Sequence, residues 1–417
     1  MSEPATQASL HWPDEGYRRV PYRVYTDAGV YAQEQARLFR GPMWHYLALT
    51  AELPQAGDFK TTFVGDTPII VTHGLDGQFN AFVNRCAHRG SLVCLEANGN
   101  KPDGFTCVYH AWSYDLAGNM TSAAFRRGVR GQGGLPADFD LREHGLQRLR
   151  IGQCGGILFG TLSDEAESLE DYLGPVATRG ILRAMNRPIK ILGYDSQIIP
   201  ANWKTYHENT RDTFHANILH TFFGTFGASR QSQESATIID PQGRHLYVYT
   251  KRGTEVQSAD YDNAAASLRS VNSDFTLNDH SVIDWTDEYG DGCSVFITTM
   301  FPNFVIHQVQ HSLGVRQLIP KGPDRCELIY TYFGYADDSE AMQATRLAHI
   351  NATGSAGLVS MEDGAVCEFV RQGIAGSGEA ASFIEMGGKD LASGGDTKLS
   401  EKPLRHFWNV YRGYMDL

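Results

Sequence analysis

Hydrophobic and polar positions along the chain change their spacing near residue 42 and again near residue 162. Between these points, short apolar runs (TPIIVTHG, FNAFVNRC and GGILFGTL) are separated by Gly, Asp and Asn. Apolar runs of this length, bounded by turn-forming residues, are typical of short antiparallel strands joined by tight turns. The pattern therefore predicts a small all-β domain at 42–162.

Residues 1–41 and 163–417 combine helical and strand patterns, so we expect them to form a second, α+β domain. The segments VYAQEQARLFR and SDEAESLEDYLGP are helix-like, and the second ends at a proline. Several runs between about 237 and 334 alternate apolar with polar residues, which indicates antiparallel strands with one face in solvent. These runs are HLYVYTKRG, GCSVFITTMF, FVIHQVQHSLGVRQLIP and CELIYTYFGYA. The polar stretch 252–283 lacks such a pattern, and we expect a loop there.

Composition narrows the class of protein. The 417 residues are enough for two domains, and a hydrophobic content of 42% is ordinary for a globular chain. A net charge of −12 argues against binding to nucleic acid or to an anionic membrane. No apolar run reaches membrane-spanning length, and MSEPATQASL lacks the basic and apolar regions of a secretory signal. Seven cysteines do not make a disulfide framework in a chain this long, so we expect a cytoplasmic protein.

Two short stretches of the predicted β domain each combine one thiol with one imidazole. Cys86 and His88 flank a single residue, and Cys107 and His110 follow as a second pair that flanks two. Zinc sites usually show paired cysteines followed by paired histidines. A Rieske [2Fe–2S] centre instead has two Cys on one iron and two His on the other. The mixed pairs favour the Rieske centre over a zinc site or a chance arrangement.

A second constellation lies in ANWKTYHENTRDTFHANILHTFF, which spans 201–223. It holds Asn209, Asp212, His215 and His220 within twelve residues. Two imidazoles and one carboxylate form the facial triad of non-heme Fe(II) oxygenases, although two His this close also occur by chance. Neighbours on one helix face are three or four residues apart, whereas these His are five apart. We therefore expect a broken helix here.

Together these motifs resemble the large (α) subunits of Rieske non-heme iron aromatic-ring-hydroxylating oxygenases. CAHRG and CVYHAW are similar to the cluster loops of that family, and NWKTYHENTRDTFHANILH is similar to its iron segment. Runs such as HAWSY, RQLIPK, GYADDS and SMEDGAV resemble members that act on aromatic carboxylates, the terephthalate, salicylate and anthranilate oxygenases. The resemblance covers nearly the whole chain. It implies a Rieske domain at 42–162 and a helix-grip (START-like) catalytic domain, in which a curved antiparallel sheet wraps helices, at 1–41 and 163–417.

The resemblance also implies a third iron ligand late in the chain. In the family, the ligand Asp precedes a Glu by five residues and a Gln by nine, and Asp363 meets both conditions with Glu368 and Gln372. His215, His220 and Asp363 are thus the expected ligands of the mononuclear iron.

Three polar residues near these ligands have other expected roles. By resemblance, Asp212 hydrogen-bonds His215 and carries electrons to it from the cluster histidine His110 of a neighbouring subunit. Asn209 resembles a polar residue that lies close to the iron without firmly binding it. Glu362, which precedes the expected ligand, is interpreted as an acid on a helix surface.

Two arginines are candidates for substrate binding. Arg316 lies in the apolar strand pattern SLGVRQLIP, and a buried guanidinium needs an anionic partner such as a carboxylate. By resemblance it is the clamp for a substrate carboxylate, although a protein acid is an alternative partner. Arg405, in EKPLRHFW, resembles the clamp for the far carboxylate of terephthalate, with a surface arginine as the alternative.

The implied protein is the terminal oxygenase component of a multi-component enzyme. It would take electrons from NAD(P)H through a reductase, and in some relatives a ferredoxin, and would pair with a small β subunit in a trimeric α3β3 assembly. With O2 and Fe(II) it would convert a terephthalate-like acid to a cis-dihydrodiol. A salicylate- or anthranilate-type reaction on a monoacid, including a monooxygenase reaction, is the alternative. A Rieske electron-transfer protein and a zinc-binding structural protein are the rivals from other classes.

Overall fold

A computed structural model describes residues 10–256, 259–266, 268 and 274–417. The first nine residues, which belong to the stretch without a secretory signal, lie outside the described residues, as does part of the predicted loop 252–283. The chain divides into a small unit, Gln35–Tyr172, and a large unit, which combines Met1–Glu34 with Leu173–Leu417. Domain boundaries at 42 and 162 stay a prediction. The two units are described separately below.

The small unit consists of three antiparallel sheets, with strand orders β1-β10-β9, β4-β3-β2-β5 and β6-β7-β8. It opens with a π-helical turn, Gln35–Phe39. Its strands are β1 His45–Leu49, β2 Asp58–Val64, β3 Thr67–His73, β4 Phe79–Val83, β5 Asn98–Asn100, β6 Phe105–Thr106, β7 Trp112–Tyr114, β8 Met120–Ala123, β9 Arg150–Cys154 and β10 Ile157–Thr161. The described residues thus show the short antiparallel strands that the sequence pattern predicts.

The hairpin between β2 and β3 illustrates the local cause of this architecture. Its two-residue turn contains Gly65, whose φ of 58° lies in the left-handed region that tight hairpins favour. A Cβ atom at this position would lie 2.6 Å from the Cβ of Phe39. A side chain is therefore excluded both by backbone conformation and by space.

The core of the small unit is built around aromatic side chains and includes three cysteines, Cys86, Cys94 and Cys107. Cys86 and Cys107 are buried in this core. The apolar side chains packed with them include Phe59, Ile70, Phe82, Phe105, Trp112, Tyr114, Leu116, Met120 and Leu146. Because the side chains of Cys86 and Cys107 are packed in this core, they anchor the loops that carry them.

The large unit is a seven-stranded antiparallel sheet with helices, in the strand order β11-β17-β16-β15-β14-β13-β12. The strands are β11 Ile189–Ile199, β12 Ser235–Ile239, β13 His245–Lys251, β14 Cys293–Met300, β15 Phe304–Val309, β16 Ser312–Pro320 and β17 Cys326–Tyr335. The helices are α1 Arg23–Thr26, α2 Ala28–Glu34, α3 Leu169–Ala184, α4 Trp203–Asn209, α5 Ala216–Leu219, α6 Thr221–Thr225, α7 Ala259–Ala265, α8 Glu340–Thr353, α9 Leu358–Ile374 and α10 Lys402–Met415. Helix α3 starts in the small unit and is interrupted at Gly174. Helix α7 lies inside the predicted loop 252–283.

The central strands of this sheet differ from the prediction of one solvated face. Every residue of β15 and β16 is buried, whereas the edge strand β11 alternates between partly buried and exposed positions. Helix α3 packs closely over one face, where Gly180 lies against Thr298. Helices α4 and α8 contact β16, and α9 contacts β11. The alternating pattern of the middle strands thus reflects polar side chains that are buried inside the protein. The edge strand β11, by contrast, has the solvent-exposed face that an alternating pattern predicts.

A buried ion pair ties α4 to two other helices of the large unit. Helix α4 begins at Asn202, whose side chain accepts the backbone N–H of Lys204, as expected for an N-cap. The Lys204 ammonium lies 2.5 Å from the Glu34 carboxylate, and both side chains are fully buried. Glu34 also accepts hydrogen bonds from Trp203 and from Tyr411 of α10. This network sets the position of the helix that leads into the second constellation.

Among the described residues, no helix combines the length and apolar character needed to cross a membrane.

Candidate active site

The two cysteine–histidine loops of the small unit have the same backbone hydrogen bonds. In each loop the cysteine N–H donates to the carbonyl five residues later, and the cysteine carbonyl accepts from the N–H four residues later. The partners are Ser91 and Gly90 for Cys86, and Trp112 and Ala111 for Cys107, with distances of 2.8 to 3.0 Å. The fourth residue has a positive φ in both loops, 75° at Gly90 and 51° at Ala111. Two loops of one shape therefore present their ligands in the same way.

The four side chains of these loops divide into a buried pair and an outer pair. Cys86 and Cys107 are 4% and 2% exposed, whereas His88 is exposed and His110 half-buried. The two imidazole rings lie 4.6 Å apart, and His88 stacks on Trp112. Desolvation and the neighbouring His88 lower the pKa of His110, which favours the neutral imidazole that binds metal.

This donor set fits a Rieske cluster. Two buried thiols can hold one iron inside the core, and two neutral imidazoles can hold the other at the surface. The Tyr114 hydroxyl lies 3.3 Å from the Cys86 sulfur and also accepts the Ala87 N–H at 3.1 Å. Burial and this contact with Cys86 raise the pKa of Tyr114, so it stays a neutral hydrogen-bond donor to the sulfur. Hydrogen bonds to cluster sulfurs are among the factors that set the cluster potential.

In the large unit, the expected iron segment is a broken helix, which confirms the prediction from the spacing of its histidines. Helix α5 has only four residues, with His215 immediately before it and His220 immediately after it. His220 has φ −81° and ψ 77°, outside the helical region, and α6 starts at the next residue. The break turns both imidazoles toward one point although they are five residues apart.

Asp363, in the middle of α9, joins the two histidines at that point. Its Oδ1 lies 3.4 Å from His215 Nε2 and 3.3 Å from His220 Nε2. One ligand atom from each of the three residues lies within 4.8 Å of the others. Burial alone would raise the pKa of Asp363, but hydrogen bonds from His215 and His220 lower it well below its usual value. An ionised carboxylate between two imidazoles fits a divalent iron of the facial-triad type.

The other nitrogen of each imidazole faces an acid. His220 Nδ1 donates to Glu362 Oε2 at 2.8 Å, whereas His215 Nδ1 lies 3.6 Å from Asp212 Oδ2. Carboxylates in such positions fix the tautomer and ring orientation of a metal-binding histidine. The interpretation of Glu362 as a surface acid is therefore wrong. The sequence alone does not show this contact, because it depends on how α9 packs against the histidine segment.

Asp212 and Asn209 occupy different places around the ligands. Asp212 Oδ1 accepts the backbone N–H groups of Phe214 and His215, and so it caps the turn that leads into α5. The Asn209 amide donates to Asp363 Oδ1 at 3.0 Å and lies 3.3 Å from His215 Nε2. Asn209 thus touches two of the three expected ligands, in agreement with a position close to the metal.

A cavity of about 120 Å³ opens beside the three expected ligands. It is bounded by the sheet on one side and by the helices of the iron segment on the other, and most of its surface is apolar. Its apolar lining comprises Ala216, Phe223, Val248, Val295, Ile297, Val309 and Val359. Two basic side chains, Arg316 and Lys398, also line it.

Arg316 is 5% exposed and has no acidic partner within 4 Å among the described residues. Its Nη1 donates to the Tyr206 hydroxyl at 3.3 Å, and its guanidinium lies 5.3 Å from the Tyr330 ring centre. Its Nε has no hydrogen-bond partner within the described parts of the chain. Burial alone would lower the pKa of Arg316, but the surrounding Tyr330, Tyr206 and Asp363 raise it. A protein acid as its direct partner, the alternative left open by the sequence, is not found in the described part of the chain.

Lys398 and Thr250 were not singled out by the sequence analysis. Lys398 is 4% exposed, and its ammonium donates to Thr250 Oγ1 at 3.1 Å and to the Arg230 carbonyl at 3.4 Å. Burial lowers the pKa of Lys398 to about 8. A lysine in the polar run GGDTKLS looks like a surface residue, and no local pattern shows that it enters a cavity.

Arg405 does not line this cavity, which corrects the expected second clamp. It is fully buried, and its guanidinium donates to the backbone carbonyls of Met386, Asp390 and Ser393 at 2.9 to 3.1 Å. These bonds hold the loop before α10 in place. The physical reason for the error is that a basic residue near the C terminus can reach either a ligand or a loop, and spacing does not distinguish the two.

Known proteins are similar to this chain over nearly its whole length. Residues 43–130 match the Rieske [2Fe-2S] domain family, and residues 166–417 match the ring hydroxylating alpha subunit (catalytic domain) family. A terephthalate 1,2-dioxygenase terminal oxygenase component subunit alpha 2 from Comamonas sp. is 44% identical over 98% of both chains. An anthranilate 1,2-dioxygenase large subunit from Burkholderia cepacia is 43% identical over 98% of this chain and 96% of the relative. A salicylate 5-hydroxylase large oxygenase component from Ralstonia sp. is 37% identical over 97% and 96%.

Solved structures confirm the predicted fold class. Naphthalene 1,2-dioxygenase from Rhodococcus sp., bound to indole, matches with a TM-score of 0.78 over 95% of this chain and 94% of that chain, at 20% identity. A quaternary ammonium Rieske monooxygenase matches with a TM-score of 0.73 over 97% and 99%, also at 20% identity. The α+β fold, with a Rieske domain and a catalytic domain, is shared with both.

Proposed function

Since the chain belongs to the Rieske non-heme iron oxygenases, as an alpha subunit of the ring-hydroxylating family, we propose that its substrate is an aromatic carboxylate of the terephthalate type. Relatives of this kind are the terminal oxygenase components of multi-component enzymes. The observation that carries the proposal is Arg316, a buried guanidinium that lines the cavity beside the expected iron ligands without an acidic partner among the described residues.

The environment of Arg316 suits a carboxylate ligand. Buried charges in proteins are normally paired, because desolvation of an unpaired charge costs several kcal/mol. A bound carboxylate would accept hydrogen bonds from the guanidinium fork, including the unused Nε. The Tyr206 hydroxyl, which accepts from Nη1 at 3.3 Å, would hold the Arg316 guanidinium in the orientation that the carboxylate needs.

The volume and the apolar lining of the cavity limit the size and the polarity of the rest of the substrate. Its volume of about 120 Å³ is close to the roughly 150 Å³ of an engineered apolar cavity that binds benzene. One aromatic ring would therefore fit, and Val295, Ile297 and Val309 are among the apolar residues that would surround it. These apolar walls exclude water from the space next to His215, His220 and Asp363.

We assign the metal sites to the residues that converge in each unit. Cys86, His88, Cys107 and His110 would hold the [2Fe–2S] cluster. His215, His220 and Asp363 would hold the mononuclear Fe(II). When bound, the cluster supplies one-electron transfer and the mononuclear iron supplies the activation of O2.

The neighbouring residues act on position and charge. The Asn209 amide donates to Asp363 Oδ1, the oxygen that faces both imidazoles. Glu362 and Asp212 lie at the outer nitrogens of the two imidazoles. In the proposed dioxygenation both atoms of O2 are added to the ring, and two electrons and two protons complete the cis-dihydrodiol. The electrons come from NAD(P)H through a reductase, with a ferredoxin as a further carrier in some systems.

The assembly is part of the proposal. We infer that electrons reach the mononuclear iron from the His110 side of a neighbouring alpha subunit through Asp212, in an α3β3 ring that includes a small beta subunit. A ring in which each subunit serves the next is a closed symmetric arrangement. Asp212 suits the role because its Oδ1 is held by two backbone N–H groups while its Oδ2 faces His215.

A reaction on a monoacid is the second candidate. A relative named for anthranilate is 43% identical and one named for salicylate is 37% identical, close to the value for the terephthalate relative. A monoacid needs Arg316 but no second anion-binding group.

A single-turnover experiment tests the proposal. The purified protein, with both metal sites filled, is reduced and exposed to O2 with terephthalate, benzoate, salicylate or anthranilate, and products are identified by mass spectrometry. We expect a dihydrodiol from terephthalate, and we expect Arg316→Met to lose product from every acid. Arg325→Met is the control, since Arg325 is exposed. If Arg316→Met kept its activity on all four acids, the carboxylate assignment would be wrong.

A further inference from the structure

We propose that Tyr330 and Ser360 are positioning residues, which fix the place of a bound aromatic acid relative to the expected iron ligands without touching the acid. Together with Tyr206 they form a hydroxyl network that ties Arg316, the proposed carboxylate clamp, to the helix that carries Asp363. The inference rests on the proposed function, because it requires that Arg316 binds the substrate carboxylate. It adds to that function the residues that determine which ring carbons are hydroxylated.

The hydroxyl network starts at Arg316 and ends on the edge strand of the sheet. Arg316 Nη1 donates to the Tyr206 hydroxyl at 3.3 Å, and the Tyr206 and Tyr330 hydroxyls lie 3.3 Å apart. The Tyr330 hydroxyl donates to Ser360 Oγ at 2.8 Å, and Ser360 Oγ donates to Gln197 Oε1 at 3.0 Å. Because a guanidinium can only donate, each hydroxyl accepts from the group before it and donates to the next. These hydrogen bonds therefore share one direction, in which neighbouring bonds strengthen each other.

The hydroxyl network is closed to water. Tyr206 and Ser360 are fully buried, and Tyr330 is 1% exposed. Among the described residues, Arg316 lines the cavity, whereas the three hydroxyl side chains do not. Burial raises the pKa of Tyr206 well above its usual value, so this hydroxyl keeps the proton that it donates. Removal of one hydroxyl would leave its neighbour without a partner, since water has no access to replace it.

The network joins the carboxylate clamp to both helices of the iron site. Ser360 lies three residues before Asp363 on α9, and Tyr206 lies three residues before Asn209 on α4. Residues three apart share one face of a helix. Each helix thus presents one member of the network and one residue of the iron site on the same side. The position of Arg316 is therefore set relative to the iron ligands rather than to the sheet alone.

The Arg316 guanidinium depends on this network for its own position. Among the described residues, Tyr206 is the hydrogen-bond partner of Arg316, and Arg316 Nε has none. Tyr330 is paired directly with Arg316 across β16 and β17, and its ring centre lies 5.3 Å from the guanidinium carbon. A long side chain with many rotamers stays in one of them only if its contacts hold it there. The two tyrosines supply these contacts.

The distance from the clamp to the iron ligands decides which carbons of a bound ring lie beside the metal. A misplacement of about 1 Å can lower the rate of a reaction about a hundredfold. When the ring is misplaced, O2 takes up two electrons and two protons to form H2O2, and the acid is left unchanged. Loss of the hydroxyl network should therefore change the ratio of product isomers and release H2O2, with a smaller change in the affinity for the acid.

The test compares product isomers with binding. The reduced protein, with both metal sites filled, is exposed to O2 with chloroterephthalate or with 3-chlorobenzoate, in which the two edges of the ring differ. Tyr330→Phe and Ser360→Ala should each shift the isomer ratio about threefold to tenfold, the usual effect of losing one neutral hydrogen bond, and should raise the yield of H2O2. Calorimetry on the anaerobic protein should show a smaller change in the dissociation constant of the same acid, because Arg316 keeps its hydrogen bond to Tyr206.

The double variant distinguishes one shared hydrogen bond from two separate defects. If Tyr330 and Ser360 act through the bond between them, combining Tyr330→Phe with Ser360→Ala should shift the isomer ratio by less than the product of the single effects. Fully multiplied effects would overturn the proposal, as would single variants that keep the wild-type isomer ratio and H2O2 yield. Iron analysis and thermal unfolding show that each variant is loaded and folded.

Tyr194→Phe and Ser196→Ala are the matched controls. They are the same substitutions at exposed positions of the edge strand β11, where Tyr194 is 54% exposed. Isomer ratio, H2O2 yield and dissociation constants should all stay at their wild-type values. Shifts as large as those of Tyr330→Phe and Ser360→Ala would mean that the readout does not depend on the hydroxyl network, and the proposal would be overturned.

The failure of this inference differs from failure of the proposed function. Arg316→Met should lose binding of both acids. If it does so while Tyr330→Phe and Ser360→Ala keep the wild-type isomer ratio, only the positioning role is wrong. If Arg316→Met keeps its affinity for both acids, the carboxylate assignment itself fails, and this inference fails with it.

Discussion

The two metal-binding regions of the protein are built by different means. In the small unit, each half of the ligand set is one short loop whose backbone hydrogen bonds run from a cysteine to residues four and five positions later. In the large unit, His215 and His220 depend on a helix break, and Asp363 comes from a helix that follows the last strand of the sheet. Local structure therefore determines the first site, whereas tertiary packing determines the second.

The largest effects should separate the two regions completely. Cys107→Ser should lose the red-brown Rieske cluster, because a buried hydroxyl is a poor substitute for a thiolate, and should keep the mononuclear iron. Asp363→Ala should do the reverse. Electron paramagnetic resonance for the cluster and iron analysis for each variant measure the two outcomes. Loss of both centres from either variant would show that the two regions do not fill independently.

Asp212→Asn sharpens the comparison, since it changes the proposed link between regions and replaces none of the seven expected metal ligands. The amide oxygen can still accept the N–H groups of Phe214 and His215, so the turn into α5 should persist. In protein loaded with excess Fe(II) we expect both centres to be filled, with turnover lost about a hundredfold because the charge beside His215 is gone. Rapid-mixing measurement of cluster oxidation in single turnover reports the step directly. Normal oxidation rates would remove Asp212 from the electron path.

A stability variant tests how far the large unit depends on packing. Glu34→Gln leaves the Lys204 ammonium fully buried without its counter-charge and weakens the bonds from Trp203 and Tyr411. Removing one partner of a buried ion pair costs about 3–5 kcal/mol. Denaturant unfolding followed by circular dichroism should show a loss of that size.

The matching variant in the small unit is Glu52→Gln. Its partner Lys60 is 14% exposed and can regain water, so the loss in unfolding free energy should be smaller. Equal losses in the two variants would mean that burial of the lysine does not govern the cost.

These contrasts also explain what the sequence could predict. The cluster ligands and the strands of the small unit follow from local spacing, and the broken helix follows from the five-residue interval of the histidines. Glu362 and Lys398 could not be assigned in this way, because their roles depend on which helix face and which loop pack beside the cavity. Arg316 was recognised because a charged residue inside an apolar strand run is itself unusual. Arg405 shows the limit, since three backbone carbonyls satisfy it as well as a ligand would.

A smaller effect is expected at the outer side of the mononuclear site. Glu362→Gln removes the charge that His220 Nδ1 faces at 2.8 Å and should lower the affinity for iron about tenfold to a hundredfold. Competition with a chelator, followed by iron analysis, measures it. Glu368→Gln on the same helix is the control, because Glu368 accepts a hydrogen bond from Gln372 and, among the described residues, contacts none of the expected iron ligands. Equal iron retention in both variants would return Glu362 to the role of a surface acid.

The smallest effect is a pH dependence confined to the side of the cavity that Lys398 lines. Burial lowers the pKa of Lys398 from its usual value to about 8, so the ammonium is present below that pH and is lost as pH rises through it. Affinity for a benzenedicarboxylate should therefore fall between about pH 7 and pH 9, by at most about tenfold per pH unit, while affinity for benzoate stays level. In Lys398→Arg the guanidinium keeps its proton throughout this range, and the dicarboxylate curve should become flat. Calorimetry at fixed ionic strength distinguishes the two. If the affinities for benzoate and for the dicarboxylate fell in parallel, the titrating group would be a residue other than Lys398. The parts of the cavity at Arg316 and at Lys398 would then not differ in their dependence on pH.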